Sequence, residues 1–175
     1  MTNLLSLLPA AFVIGILFAG IKYMYRQRAI AMRALSARWN FQYSTGDDRM
    51  WGRRRPIRYP AGFKMKCYPI YVTTRLWNIV EGERSGIGVV IFDGMIGEGR
   101  SARCYTLIAT QTVDNPFRTQ QRREKIAQRA GWTGIYCIPF IGLRPWALSI
   151  SRIEELLGEV FPSTAPSPHQ VADKS

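Results

Sequence analysis

The sequence predicts an α+β protein with an N-terminal transmembrane helix, an antiparallel β-meander sheet and two C-terminal helices. Three observations predict this class: an uncharged apolar run at the start, three β-rich runs separated by glycine-containing turns, and helix-initiation signals near the end. A chain of 175 residues has room for one domain and an anchor. We expect an anchor over residues 1–24, a juxtamembrane helix over 25–45, an α+β domain over 46–161 and a disordered Pro/Ser-rich tail over 162–175.

The apolar run from Leu4 to Ile21 contains 18 residues without a charged side chain. Extended to Met24, it can cross a hydrocarbon core of about 30 Å at about 1.5 Å per residue. Basic residues follow the run instead of preceding it, which argues against a cleaved signal peptide. By the positive-inside rule the same charges stay in the cytoplasm. The prediction is a single-pass inner-membrane protein with its N-terminus outside and its domain cytoplasmic; a buried helix of a soluble protein is the alternative.

The net charge of +12 is concentrated after the apolar run. Residues 22–80 hold 13 Lys/Arg and two acids, whereas residues 81–175 hold 11 Lys/Arg and ten acids. The densest cluster alternates with aromatic residues, and we expect it to bind anionic lipid headgroups of the bilayer. A pure topology signal is a second interpretation, and phosphate and base contacts to nucleic acid are a less favoured third. The cluster consists of Arg49, Arg53, Arg54, Arg55, Arg58, Lys64 and Lys66.

The juxtamembrane segment from Tyr25 to Asn40 consists of helix-forming residues and contains neither glycine nor proline. Its apolar residues fall near one helical face, which predicts a helix that leaves the membrane and packs on the domain through Trp39. The predicted face comprises Ile30, Ala34, Leu35 and Trp39.

Three β-rich runs follow, at Thr74–Glu83, Ile87–Asp93 and Ala102–Thr112. Short connections, Ser85-Gly86 and the glycine loop 94–99, separate them, which is typical of an antiparallel meander. The loop lacks the spacing of a phosphate-binding motif, so we interpret it as a hairpin connection. The run at Ile87–Asp93 is apolar on both alternating sides, which predicts a central strand.

The C-terminal region predicts two helices and two further strands. Asn115-Pro116 is a helix-start signal and Gly131 fits a C-terminal cap, so we expect a helix over 117–130. A strand Thr133–Ile138 and a short strand near Trp146–Leu148 follow. The stretch 132–150 contains Arg144 and two prolines, which makes it a poor second span. The basic stripe of the first helix is Arg118, Arg122, Lys125 and Arg129.

The last helix is predicted from a capping box at Ser151–Glu154 and a core-facing apolar stripe. The stripe comprises Ile153, Leu156, Leu157, Val160 and Phe161.

Side chains for catalysis are sparse in this sequence. The single histidine, His169, falls in the predicted tail, and the three cysteines, Cys67, Cys104 and Cys137, are too far apart for a zinc motif. We therefore predict no catalytic residue, no metal site and no cofactor. A small membrane-bound enzyme is kept as an alternative, and it requires a cleft where carboxylates or tyrosine converge. Its candidates are Glu81, Glu83, Asp93, Glu98 and Tyr105.

The segment Arg75–Gly86, followed by Val89–Asp93 and the strand Arg103–Thr106, resembles uncharacterised bacterial membrane-anchored proteins. In those proteins an N-V/I-x-x-G-x-x-x-G stretch precedes a V-x-x-F-D strand. The resemblance covers about 35 residues and implies a bacterial, membrane-tethered domain of unknown function. The functional expectation is a membrane-tethered cytoplasmic binding or scaffold module with its basic face toward the inner leaflet. The sequence does not identify a protein partner.

Overall fold

A computed structural model describes residues 4–46, 63, 69–70, 73–97, 102–138 and 148–162, with side chains of the first helix described from residue 11 onward. The protein is α+β. Two helices, α1 (Leu4–Trp39) and α2 (Ile150–Val160), accompany six strands in the described residues. The strands are β1 (Gln42–Gly46), β2 (Thr73–Arg84), β3 (Ile87–Ile96), β4 (Arg103–Thr110), β5 (Glu124–Arg129) and β6 (Trp132–Cys137).

All strand pairs of the sheet are antiparallel, and the order is β1-β2-β3-β4-β6-β5. The predicted meander is confirmed for β2, β3 and β4. A tight turn joins β2 to β3, and its residues Ser85 and Gly86 both have positive φ. β3 is central as predicted, but it extends to Ile96. Gly94 therefore lies inside the strand, where a Cβ would meet the Tyr105 ring at 2.5 Å. Only glycine allows this close approach.

α1 ends in a Schellman motif. Asn40 has φ 57°, the Phe41 N–H donates to the Ser36 carbonyl at 2.8 Å, and the Asn40 N–H donates to the Ala37 carbonyl. The chain reverses there and enters β1. The helix predicted to begin at Tyr25 is thus present up to Trp39, whereas the expectation of helix up to residue 45 is wrong because β1 begins at Gln42.

The sheet is buried on both faces. On one face the C-terminal part of α1 and all of α2 cover side chains such as Val80, Val89 and Ile91. On the other face Val90 and Phe92 pack with aromatic residues from β4, β6 and position 63. The Phe63 ring lies edge-on to Phe92 and Trp132, with centroid distances of 5.8 and 5.1 Å. We call these the helix face and the aromatic face.

The predicted helix over 117–130 is wrong. Residues 124–129 form the edge strand β5, and Ala130 and Gly131 make the tight turn to β6, both with positive φ. Gly131 therefore serves a hairpin and not a helix cap. The Asn115 side chain accepts from the Phe117 N–H, which is a local turn and not the start of a helix. The segment has too few apolar residues for a core-facing helix, whereas a strand buries Glu124 and partly buries Ile126.

β6 and α2 agree closely with expectation. β6 is fully buried, and the five stripe residues of α2 are all buried. The helix begins two residues earlier than the predicted capping box, because Ser149 and not Ser151 is the N-cap, and its hydroxyl accepts from the Arg152 N–H at 3.2 Å. Leu148 is buried but not in a strand, and residues 146–147 lie outside the described residues.

Within the part of the chain that the structure describes, no helix combines the length and the apolar character that crossing a membrane requires.

Candidate functional site

The junction between α1 and the sheet is a buried polar network centred on Asp93. Arg28, on the helix, donates through Nε and Nη2 to the two carboxylate oxygens at 3.1 and 3.0 Å. Asn78 of β2 and Thr106 of β4 donate to the same carboxylate at 2.9 and 2.7 Å. Arg28 and Asp93 are only 3% and 1% exposed. The charge of Asp93 is therefore neutralised and hydrogen-bonded on both oxygens, as a buried carboxylate requires.

Asn78 reaches Asp93 because β2 is irregular at this point. The register between β2 and β3 shifts between Trp77 and Val80, and Asn78 has φ 51°. Such a bulge re-aims one side chain, and asparagine tolerates the left-handed conformation. The Tyr43 hydroxyl on β1 donates to the Asn78 amide oxygen at 3.0 Å, which extends the network to the sheet edge. One helix and four strands are thus joined by side-chain hydrogen bonds.

One turn before Arg28, Tyr25 lies against the edge of the same junction. Its hydroxyl is 3.8 Å from the Cys104 sulfur, and its ring is edge-on to Trp77. Burial raises the pKa of both the Tyr25 hydroxyl and the Cys104 thiol, so both groups stay protonated at neutral pH. Burial likewise raises the pKa of Cys137. A raised pKa makes a cysteine a poor nucleophile, so these two thiols have a packing role.

A second buried ion pair joins α2 to the start of β5. Arg152 donates to the two oxygens of Glu124 at 2.8 and 2.7 Å and also contacts Thr119 and Glu155. Burial alone would raise the pKa of Glu124, but hydrogen bonds from Arg152 and from the Gln121 N–H outweigh it and lower the pKa. The hydrogen bond to Glu124 raises the pKa of Arg152. The pair therefore stays charged at neutral pH and anchors α2 on the edge of the sheet.

The N-terminal part of α1 extends beyond the sheet and exposes apolar side chains in all directions. Phe12, Phe18 and Leu17 are 70%, 65% and 60% exposed. Because exposed apolar residues occur at consecutive positions, the apolar surface runs around the helix and does not form one stripe. A patch of this kind marks a surface that another apolar phase or partner covers. The large exposed apolar residues here are Phe12, Val13, Ile14, Ile16, Leu17, Phe18 and Ile21.

An open groove of about 640 Å³ lies at the opposite end of the sheet, near the β2–β3 turn. Two carboxylates, Glu81 and Glu83, lie on one side of it, and Trp132 of β6 borders the other. Gly82 and Gly88 also line the groove; a Cβ at Gly82 would clash with the Phe41 ring, and one at Gly88 would meet the Gln111 amide oxygen at 3.0 Å. The chemistry of the lining suits a polar or cationic ligand. The remaining lining residues are Asn40, Gln42, Val89, Val90, Gln111 and Ala130.

The sequence-predicted candidates have different outcomes. The whole basic cluster that was predicted to bind lipid, from Arg49 to Lys66, lies outside the described residues, as do Glu98, Cys67 and His169. Glu81 and Glu83 share the groove, but Asp93 is bonded to Arg28 on the helix face. Tyr105 is buried on the aromatic face, bonded to Thr73 at 2.6 Å. The carboxylates and the tyrosine proposed for an enzyme therefore do not converge within the described residues.

Sequence reasoning missed the Arg28 network, although a signal for it exists. The buried face of α1 comprises five of its described side chains: Arg28, Met32, Leu35 and Trp39, at spacings i, i+4, i+7 and i+11, together with Ser36. Ile30, which was predicted to lie on that face, is 53% exposed, and Ala34 is exposed as well. An arginine in register with an apolar stripe indicates a buried cation. Its partner could not be predicted, because Asp93 is 65 residues away.

No known protein family, curated protein or solved structure matches this chain.

Proposed function

We propose that the protein is a membrane-tethered binding module, with its N-terminal helix in the bilayer and its α+β domain on the cytoplasmic side. The observation that carries this proposal is the exposed apolar surface around residues 12–21 of α1. In water that surface is unfavourable by about 25 cal/mol per Å², and a hydrocarbon core removes the cost. The charged residues that follow, Lys22, Arg26 and Arg33, favour the cytoplasmic side for the domain.

The continuity of α1 supports a fixed attachment. The same helix that exposes residues 12–21 contributes Met32 and Leu35 to the core and Arg28 to the buried network. A domain attached in this way has one set of surfaces near the bilayer and another that faces away. The groove beside Glu81 and Glu83 is at the far end, where a soluble partner has free access. The resemblance to bacterial membrane-anchored proteins agrees with this placement.

The predicted contact of the basic segment 49–66 with the inner leaflet is part of this proposal. Each basic residue near an anionic surface contributes about 1 kcal/mol. Several arginines and lysines within one segment would therefore strengthen an attachment that the helix provides.

The test is alkaline extraction of membranes that contain the full chain. We expect the native chain to stay in the membrane pellet. The double variant I16D/L17D should move to the supernatant, because each aspartate near the bilayer centre costs about 2.5–3.5 kcal/mol.

The matched control is I30D, since Ile30 is as exposed as Ile16 but lies on the packed half of the helix. It should remain in the pellet. Release of the native chain, or equal release of both variants, would contradict the anchor. Reporter fusions after residue 161 then decide the side: a cytoplasmic signal supports the proposal and a periplasmic signal refutes it.

A further inference from the structure

The packing of α1 defines which end of the sheet lies next to the exposed apolar segment. Tyr25 touches Cys104 near the start of β4, and the helix runs from there toward lower residue numbers, past the end of the sheet. Cys104 pairs with Met95 of β3, and Arg103 pairs with Ile96. These residues therefore lie at the end of the sheet nearest the apolar segment.

The same end of the sheet carries a cluster of exposed basic side chains. Arg103 begins β4, and Arg122 and Arg123 immediately precede β5. The first residue of β5, Glu124, pairs with Cys137 of β6, which in turn pairs with Thr106 of β4, so β5 begins near the start of β4. Lys22 and Arg26 lie on α1 within one turn of Tyr25, or about 6 Å along the axis. All five side chains are exposed. We call this set, Lys22, Arg26, Arg103, Arg122 and Arg123, the basic pole.

The acids at this end do not cancel the positive charge at the surface. Among the described residues near the basic pole, Asp93 and Glu124 are buried in ion pairs with Arg28 and Arg152. Glu155 and Glu159 also lie near Arg152, so four carboxylates face seven basic side chains at this end. At the far end Glu81, Glu83 and Asp114 lie with Arg84 and Arg129, so the charges there nearly balance. The domain is electrostatically polarised along the direction of α1.

We propose that the basic pole lies against anionic lipid headgroups and fixes the orientation of the domain on the membrane. This inference rests on the proposed anchor and adds a second, electrostatic contact made by the folded domain itself. Guanidinium groups bind phosphate oxygens through paired hydrogen bonds, and the basic pole supplies four of them beside one ammonium group. The apolar helix places these groups at the level where headgroups begin. The same orientation turns the Glu81 and Glu83 groove toward the cytoplasm.

The experiment uses the full chain in nanodiscs that contain a gadolinium-chelating headgroup lipid. Backbone amide relaxation is measured by nuclear magnetic resonance in phosphatidylglycerol/phosphatidylcholine and in pure phosphatidylcholine. With the anionic lipid, the amides of Arg103 and Arg123 should relax much faster than that of Val113, at the far end. The difference should shrink as ionic strength rises from about 0.1 M to about 1 M, because the Debye length falls from about 10 Å to about 3 Å.

The variant R103Q/R122Q/R123Q removes three charges from the basic pole. At about 1 kcal/mol per residue the headgroup-bound orientation should lose population on the order of 100-fold. The matched control R33Q/R84Q/R129Q removes the same charge away from the basic pole and should keep the native relaxation pattern. Unchanged thermal unfolding of both variants confirms that they are folded.

Four outcomes overturn the inference, three of them without affecting the anchor. The first is that the backbone amides of Arg103 and Val113 relax at equal rates in nanodiscs that retain the chain. This result would not contradict the anchor. The second is a contrast that persists in pure phosphatidylcholine. The third is an oligonucleotide that displaces the basic pole from anionic lipid at physiological salt, which would identify nucleic acid as the partner. A chain that does not remain with the nanodisc refutes the anchor and this inference together.

Discussion

The two halves of α1 have similar helical geometry and opposite surroundings. From Phe12 to Ile21 large apolar side chains are exposed on every side, whereas from Tyr25 to Trp39 buried and exposed positions alternate with helical periodicity. The second half packs against the helix face of the sheet in the same chain and buries one charged residue, Arg28, against it. The comparison teaches that the arrangement of apolar residues, more than their number, indicates which surface a helix packs against.

The largest expected effect tests the packed half through Asp93. The variant D93A leaves the Arg28 guanidinium buried without its carboxylate and should lower the free energy of unfolding by about 3–5 kcal/mol. Chemical denaturation of the full chain in detergent measures the change. D114A, at an exposed position, should stay within about 0.5 kcal/mol of the native chain. A loss at Asp93 no larger than at Asp114 would mean that the network does not hold the helix on the sheet.

A matched pair of leucines compares the halves directly. L35A removes a fully buried side chain and should cost about 2–5 kcal/mol, since it leaves a cavity in the core. L17A changes a side chain that is 60% exposed and touches no core, so the stability of the domain in detergent should change by less than about 0.5 kcal/mol. Unfolding midpoints of both variants give the comparison. Equal losses of stability would show that the two halves of α1 fold as one unit, and would contradict the view that only the second half packs on the domain.

A smaller effect concerns the stability of the protein in acid. It depends on Glu124 of β5, which pairs with α2, and therefore on neither half of α1. The folded-state pKa of Glu124 is lowered below its usual 4.5, so the folded protein binds fewer protons than the unfolded chain in that range. The stabilisation is complete above pH 4.5 and is lost as the pH falls through the lower folded value. The variant E124Q should therefore weaken the fall in stability below pH 4.5, as denaturation at several pH values would reveal. An unchanged acid dependence would assign it to other carboxylates.

The sequence predicted those elements whose own pattern determines them. β2, β3, β4 and β6 are apolar β-rich runs bounded by turns, and the α2 stripe has the spacing of a packed helix. β5 was mistaken for a helix because its edge position requires little apolar surface, and Asn115-Pro116 and Gly131 are equally compatible with turns. β1 was missed because it has only five residues and is mostly exposed. Short edge strands depend on their neighbours more than on their own composition.

The candidate site was predictable only in part, for a related reason. Glu81 and Glu83 lie two residues apart on one strand, so their shared groove follows from local geometry. The Asp93 network depends instead on residues 13 to 78 positions apart and on a bulge at Asn78. Long-range pairing of this kind is decided by tertiary packing, which a single sequence does not encode in any local pattern.

The distance in sequence between Arg28 and its partners also has a consequence during synthesis of the chain. Arg28 leaves the ribosome 78 residues before Thr106, a delay of about 4–16 s at about 5–20 residues per second. Throughout that interval Met32, Leu35 and Trp39 have no sheet to cover them, and the nascent helix offers an apolar stripe to chaperones. The network can therefore close only after β4, the strand that brings Thr106 to it, has been translated, and the core around Trp39 only after β6 and α2 have followed.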